Sequence, residues 1–201
     1  AETTLVCGFL GCDLRPFNPV IASLPRLMHL RASAEQNWTV QCMHQAAAEA
    51  LSPRPGGSAM LERLSEMLFI DAVRRYLQTL PEDSTGWLAG VRDGHVGRAL
   101  ALMHAQPAQP WSVDELGRLV GLSRSALHER FAQLIGETPM HYLARWRMQV
   151  GAALLRDTSA TVLAIAQEVG YASEASFSRA FKRQLGLPPT LWRRQERHAS
   201  V

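Results

Sequence analysis

Two stretches in the C-terminal half repeat one another, and that repeat constrains the fold more than any other feature. Leu116-Gly117-Arg118-Leu119-Val120-Gly121-Leu122-Ser123 runs on into Arg124-Ser125-Ala126-Leu127-His128-Glu129-Arg130-Phe131. Ile165-Ala166-Gln167-Glu168-Val169-Gly170-Tyr171-Ala172-Ser173 runs on into Glu174-Ala175-Ser176-Phe177-Ser178-Arg179-Ala180-Phe181. Gly121 aligns with Gly170 at an offset of 49. Beyond the turn the offset becomes 50, because the second copy carries one extra residue, Ala172: Ser123/Ser173, Leu127/Phe177, Phe131/Phe181, Gly136/Gly186 and Pro139/Pro189 then align.

Each copy has the mechanics of a helix-turn-helix. An apolar residue, Leu116 or Ile165, lies one helical turn before Val120 or Val169. The glycine ends that helix where a left-handed residue costs least. The serine caps the next helix and leaves its first amides free to meet an anion. Apolar residues four apart then bury the second helix against the first. Ser112 and Glu115 add a capping box to the opening helix of the first copy. One such pattern is weak, since many helix pairs show it; two in tandem point to a double module spanning 112–135 and 161–185. The rival reading is a helical repeat that binds protein. Between the copies, Met140 to Arg156 reads as one continuous helix with Leu143, Trp146, Val150, Ala153 and Leu154 on one side. Its 17 residues span roughly 25 Å, which would set two recognition helices about one DNA turn (~34 Å) apart on one face.

The rest of the chain is read more coarsely. Residues 3–10 are β-branched and apolar enough for a strand, followed by a Pro-rich turn at Pro16 and Pro19. Residues 34–51 show helical periodicity through Val40, Met43, Ala47 and Leu51. After the break at Ser52-Pro53-Arg54-Pro55-Gly56-Gly57, Ser58 is placed to cap a helix running to about Leu80. That helix carries two apolar rows: Leu61, Leu64, Leu68 and Ala72, and Met67, Ile70, Val73, Leu77 and Leu80. One row suits the preceding helix. The other suits the same helix of a second subunit, or cover from a region N-terminal to this chain. Pro81 to Gly86 is turn-rich and reads as the start of a linker over 81–91. Asp93 begins a helix ending near Ala105.

Charge is unevenly placed along the 201 residues. Residues 1–91 hold 7 Arg/Lys against 9 Asp/Glu, whereas 92–201 hold 14 against 9, with Lys182 the only lysine. A basic C-terminal half favours a polyanion partner. No segment is long and apolar enough to span a membrane, and the start lacks the basic and apolar regions of a signal peptide. The chain opens without an initiator Met, as a piece of a longer protein would. Three cysteines, Cys7, Cys12 and Cys42, suit a reducing cytoplasm rather than a disulfide framework. His95, His104 and His141 show no metal spacing, Trp111, Trp146 and Trp192 read as packing residues, and no Walker loop, dinucleotide turn, zinc set or nucleophile elbow is present. Neither a metal, a cofactor nor catalysis is expected.

The second copy resembles the DNA-binding domain of the AraC/XylS family of bacterial transcription regulators. It matches through Ile165-Ala166, Val169-Gly170-Tyr171, Ser173, Ser176-Phe177-Ser178-Arg179, Phe181-Lys182, Gly186 and Pro188-Pro189. The resemblance covers about 92–197, and residues 1–80 are similar, more weakly, to the end of a cupin-type sensor domain followed by its helical hairpin. The resemblance implies a mainly α chain: a tandem, homeodomain-like helix-turn-helix domain over 92–201, preceded by a β remnant (1–30) and a hairpin (31–80), whose second apolar row leaves dimerisation and N-terminal cover both open. It further implies double-stranded DNA and RNA polymerase as partners, and an unidentified small-molecule effector.

Carried onto this sequence, base reading falls to Ser125, His128 and Glu129 in the first recognition helix, and to Glu174, Ala175, Ser178 and Arg179 in the second. Ser123, Arg124, Ser173, Lys182 and Arg183 fall to phosphates. Where Glu129 stands many relatives have a long basic or amide side chain; Glu129 either accepts from a cytosine amino group or pairs with Arg130 or Arg124. Arg179 either forks onto guanine or phosphate or forms a surface ion pair. Two other readings stay open: a thiol switch at Cys7 on the same scaffold, and a fragment of a cupin-related enzyme.

Overall fold

The computed structural model describes Cys7 and residues 17–30, 37–52 and 54–199. The strand expected over 3–10 lies outside the described residues apart from Cys7, as do Cys12 and half of the 1–30 remnant. All regular structure among the described residues is helical. The helices are α1 (Pro19–Ser23), α2 (Asn37–Leu51), α3 (Gly57–Thr79), α4 (Trp87–Arg92), α5 (Val96–Ala105), α6 (Val113–Val120), α7 (Arg124–Ile135), α8 (Pro139–Asp157), α9 (Val162–Glu168), α10 (Glu174–Leu185) and α11 (Pro189–Ala199). They divide into two compact units. Among described residues one holds Cys7 and 25–82, and the other holds 17–24 and 83–199.

The first unit is the α2–α3 hairpin. Thr39 Oγ1 donates to Asp71 Oδ2 at 3.1 Å, Gln45 reaches Met60, and Glu49 meets Arg54, so the partners run in opposite directions. Ser58 does not cap α3. The N-cap is Gly56, in the left-handed region at φ 82°, and it makes no side-chain cap bond. A left-handed residue closes this tight turn two positions earlier than a Ser58 cap would, and glycine takes it without strain. Buried Glu49, ion-paired with Arg54, packs against Gly57 at the turn. Of the two apolar rows on α3, Leu61, Leu64, Leu68 and Ala72 are half-buried, whereas Met67 and Ile70 of the other row are each 49% exposed.

The second unit contains two cores strung along one helix. Val96, Leu100, Met103, Leu116, Val120, Leu127 and Phe131 form the first core with Tyr142 and Leu143 from the start of α8. Met148, Ala152 and Leu155, further along α8, join Ile165, Val169, Phe177, Phe181 and Trp192 in the second. Thr138 caps α8 and Pro139 occupies its first turn, where a fixed φ and a missing N–H cost nothing. The 19 residues of α8 span roughly 28 Å, so one rigid rod serves both modules.

Two segments differ from expectation. The stretch 81–91, composed like a linker, becomes helical at Trp87. Leu88, Ala89 and Gly90 are buried, the Gly86 amide donates to the Leu134 carbonyl at 2.7 Å, and Trp87 Nε1 donates to the Tyr142 hydroxyl at 2.8 Å. Tertiary contact overrides turn-like composition there. Pro19 is not in a turn: it opens α1 behind Asn18, whose Oδ1 accepts from the Ile21 amide at 3.2 Å. Residues 17–24, expected at the end of the preceding domain, pack on the second unit instead. The Phe17 amide donates to Gln149 Oε1 at 2.8 Å, its ring sits edge-on to Tyr142 at 6.0 Å, and the Arg145 guanidinium lies 3.7 Å over that ring.

Beside Phe17, a half-buried polar chain ties three helices together. The Tyr142 hydroxyl accepts from Trp87 and shares a hydrogen bond with His104 Nε2 at 2.8 Å, while the His104 ring stacks on Trp146 at 3.9 Å. Burial raises the Tyr142 hydroxyl above its ordinary range. Burial also pushes His104 down to about 4. Between its ordinary value near 6.5 and about 4, the unfolded chain therefore binds the extra proton and the folded one does not, so stability falls as pH drops through that window. Discounted for partial exposure, we expect a loss of about 1–2 kcal/mol between pH 7.5 and 4.5. Thermal melts of wild type and His104→Asn check this: the variant should lose much of the acid sensitivity, and an undiminished acid shift in it would assign the effect elsewhere.

Candidate nucleic-acid interface

The two recognition helices, α7 and α10, are built alike. Ser123 Oγ accepts from the Ala126 amide at 3.2 Å, and Ser173 Oγ accepts from the Ser176 amide at 3.2 Å. Gly121 and Gly170 carry the left-handed turn at φ 80° and 82°. The amides behind them close back onto Gly117 O at 2.9 Å and Ala166 O at 2.8 Å, satisfying carbonyls at the end of the first helix. Leu127, Phe131, Phe177 and Phe181 are fully buried. Ser112 caps α6 by accepting from Glu115 N at 3.1 Å, but the reciprocal Glu115 bond of a capping box is not made.

With the apolar faces pinned inward, the first turns of both helices face outward. Ser123, Arg124, Ser125, His128 and Glu129 are exposed, as are Ser173, Glu174, Ala175, Arg179, Lys182 and Arg183. Ser178, read from sequence as exposed, is half-buried. It lies three residues before buried Phe181, about 60° from it round the helix, at the flank of the buried face.

Much of the positive charge in this half is structural. Arg98 donates to Leu119 O, Arg145 to Glu137, and Arg193 to Leu155 O and Ala160 O. Arg130 binds Asp93 Oδ2 through Nε and Nη2 at 2.8 and 2.6 Å. Burial would raise the Asp93 carboxyl, but Arg130 and the amides of Val96 and His95 outweigh it and hold it below the usual carboxylate range. Arg124 makes only a surface pair with Asp114 at 3.4 Å, both side chains being well exposed, and such pairs contribute little. Glu129 pairs with neither Arg130 nor Arg124, which correct the ion-pair option for it. Among the described residues of this half, the cations without a hydrogen-bonded or ion-paired partner are Arg118 on α6 and Arg179, Lys182 and Arg183 on α10.

Sequence reasoning missed Asp93, Phe17, Trp87 and the forked arginines, whose partners lie dozens of residues away. Cys7 is exposed and Cys42 half-buried, both free thiols, and no group of three or more metal-ligating side chains occurs among the described residues. Nor is any described helix long and apolar enough to cross a membrane.

This geometry, two helix-turn-helix modules sharing one connecting helix, defines a tandem DNA-binding fold. A helix-turn-helix domain family model matches residues 116–195, and a cupin family model matches residues 1–78. The chain is 37% identical over 194 residues to an AraC-like transcription regulator of Streptomyces lividans, covering 96% of this chain and 64% of that one. It is 33% identical over 186 residues to the HTH-type transcriptional regulator AlkR of Acinetobacter baylyi, covering 91% and 60%. The DNA-binding domain of AdpA, solved in complex with a target DNA, superposes with a TM-score of 0.51 at 25% identity, over 53% of this chain and 96% of that one. The C-terminal domain of AraT from Geobacillus stearothermophilus gives 0.50 at 29% identity, over 51% and 86%. The chain is thus similar to AraC-type transcription regulators, through its helix-turn-helix domain and along most of its length. It spans about three fifths of the length of the curated relatives named here.

Proposed function

We propose that this chain acts as a sequence-specific, DNA-binding transcription regulator that reads two successive major-groove segments, one with α7 and one with α10. The observation that carries the reading is the pairing of two identically capped helices with exposed first turns on a single 19-residue rod. In this mechanism the serine-capped N-termini, with Arg124, Lys182 and Arg183, hold phosphates, and no bond is made or broken. Ser125, His128 and Glu129 on one helix, and Glu174, Ala175, Ser178 and Arg179 on the other, face base edges. Unpaired Glu129 accepts from a cytosine amino group, and Arg179 forks onto guanine.

The half-exposed Met67 and Ile70 of α3 support homodimerisation through the hairpin. An effector acting through the N-terminal region, contact with RNA polymerase in activation, and action in the cytoplasm complete the reading, and they rest on the family.

Two substitutions separate reading from holding. Arg179→Ala should lose about 1–3 kcal/mol of discrimination against a site altered at one base pair. Lys182→Ala should weaken all sequences alike and flatten the salt dependence by about one unit. Competition binding against single-base variants at two salt concentrations checks both. If Arg179→Ala weakens every variant equally while Lys182→Ala reshapes preference, the docking register is off by about a helical turn.

A further inference from the structure

Each module grips only part of α8, so something besides the rod must fix how one module is rotated against the other. The loop between α5 and α6 reaches across to do so. Arg147, midway along α8 between the two cores, is half-buried and forks onto that loop: Nε donates to Pro107 O at 2.7 Å and Nη2 to Gln109 O at 2.8 Å. The residue between those carbonyls, Ala108, lies against the turn of the second helix-turn-helix. A Cβ at Gly170 would stand 2.6 Å from Ala108 O and within 3.0 Å of its Cα and carbonyl carbon. The Arg147 guanidinium also lies 6.0 Å from the Tyr171 ring, which sits edge-on at 5.6 Å to Phe177, an anchor of α10. The same loop leads into Trp111 and the α6 cap at Ser112. A planar guanidinium holding two carbonyls resists twisting in a way a single ammonium bond cannot.

We propose that Arg147 is a positioning residue that fixes the separation and rotation of the two recognition helices, and thereby sets the spacing between the DNA segments read as one site. The inference rests on the two-segment reading above. One inserted base pair turns the second segment by about a tenth of a helical turn and moves it roughly 3.4 Å, so a braced protein must discriminate against it.

The test uses the full chain and a duplex recovered from a random-sequence pool by the wild type, followed by a series with one or two base pairs inserted or deleted between the two contacted segments. Wild type should weaken about tenfold or more per inserted pair, Arg147→Ala by no more than about threefold, and Arg147→Lys, which keeps one bond at most, by an intermediate amount. Gly170→Ala, which drives a Cβ into the Ala108 backbone, should shift or flatten the profile too. Circular dichroism monitors folding; if Arg147→Ala does not fold, Arg147→Lys and Gly170→Ala carry the test. An unchanged spacing profile in the folded variants, or an equal loss of affinity at every spacing, overturns the brace and leaves the two-segment reading standing. A wild type that binds one segment as tightly as both overturns the two-segment reading and the brace with it.

Discussion

Replacing Phe131 or Phe181 with alanine should cost about 3–5 kcal/mol, and each substitution should open its own module first. Both rings are fully buried. Phe131 sits edge-on to Tyr142 at 5.8 Å in the first core. Phe181 packs on Phe177 at 5.4 Å and on Trp192 at 6.0 Å in the second. The two cores share only α8, so the cavity left by one truncation has no direct partner in the other. Urea unfolding followed by circular dichroism should show the loss in midpoint. Hydrogen exchange should locate it: Phe181→Ala exposes the amides of α9–α11 while α4–α7 keep their protection, and Phe131→Ala does the reverse. Wild-type midpoints in both variants would refute the assignment of these helices as the anchored second helices of two modules.

What could be read from the sequence was local. The serine caps and the left-handed glycines each depend on residues within one turn of one another, and all appear where the repeat, at its offset of 49 and then 50, places them. Leu127 and Phe131 were legible as a buried face because a helix brings residues four apart together. What stayed hidden depends on partners distant in the chain. Trp87 begins a helix in a turn-like stretch because Tyr142 and Leu134 hold it there. Phe17 docks on a helix 132 residues away through Gln149. Arg130 reads in sequence as an ion-pair partner for nearby Glu129, and Asp93, 37 residues earlier, takes it. Net charge alone therefore overstated the basic surface, since an arginine that binds carbonyls or a buried carboxylate counts the same as one facing solvent.

In the proposed function, the exposed faces of α7 and α10 bind duplex DNA through an electrostatic contact carried by Arg124 at the start of α7 and by Arg179, Lys182 and Arg183 further along α10. The most direct measurement is titration of a duplex recovered from a random pool with the full chain, over a range of salt concentrations. Each phosphate neutralised releases condensed counterions and contributes about 0.9 to the slope of log affinity against log salt. With Arg124, Arg179, Lys182 and Arg183 exposed, the account predicts binding that weakens as salt rises, with a slope of about −3 to −4. Failure to bind any duplex at low salt by a chain whose helical spectrum is intact, or an affinity indifferent to salt, would contradict it.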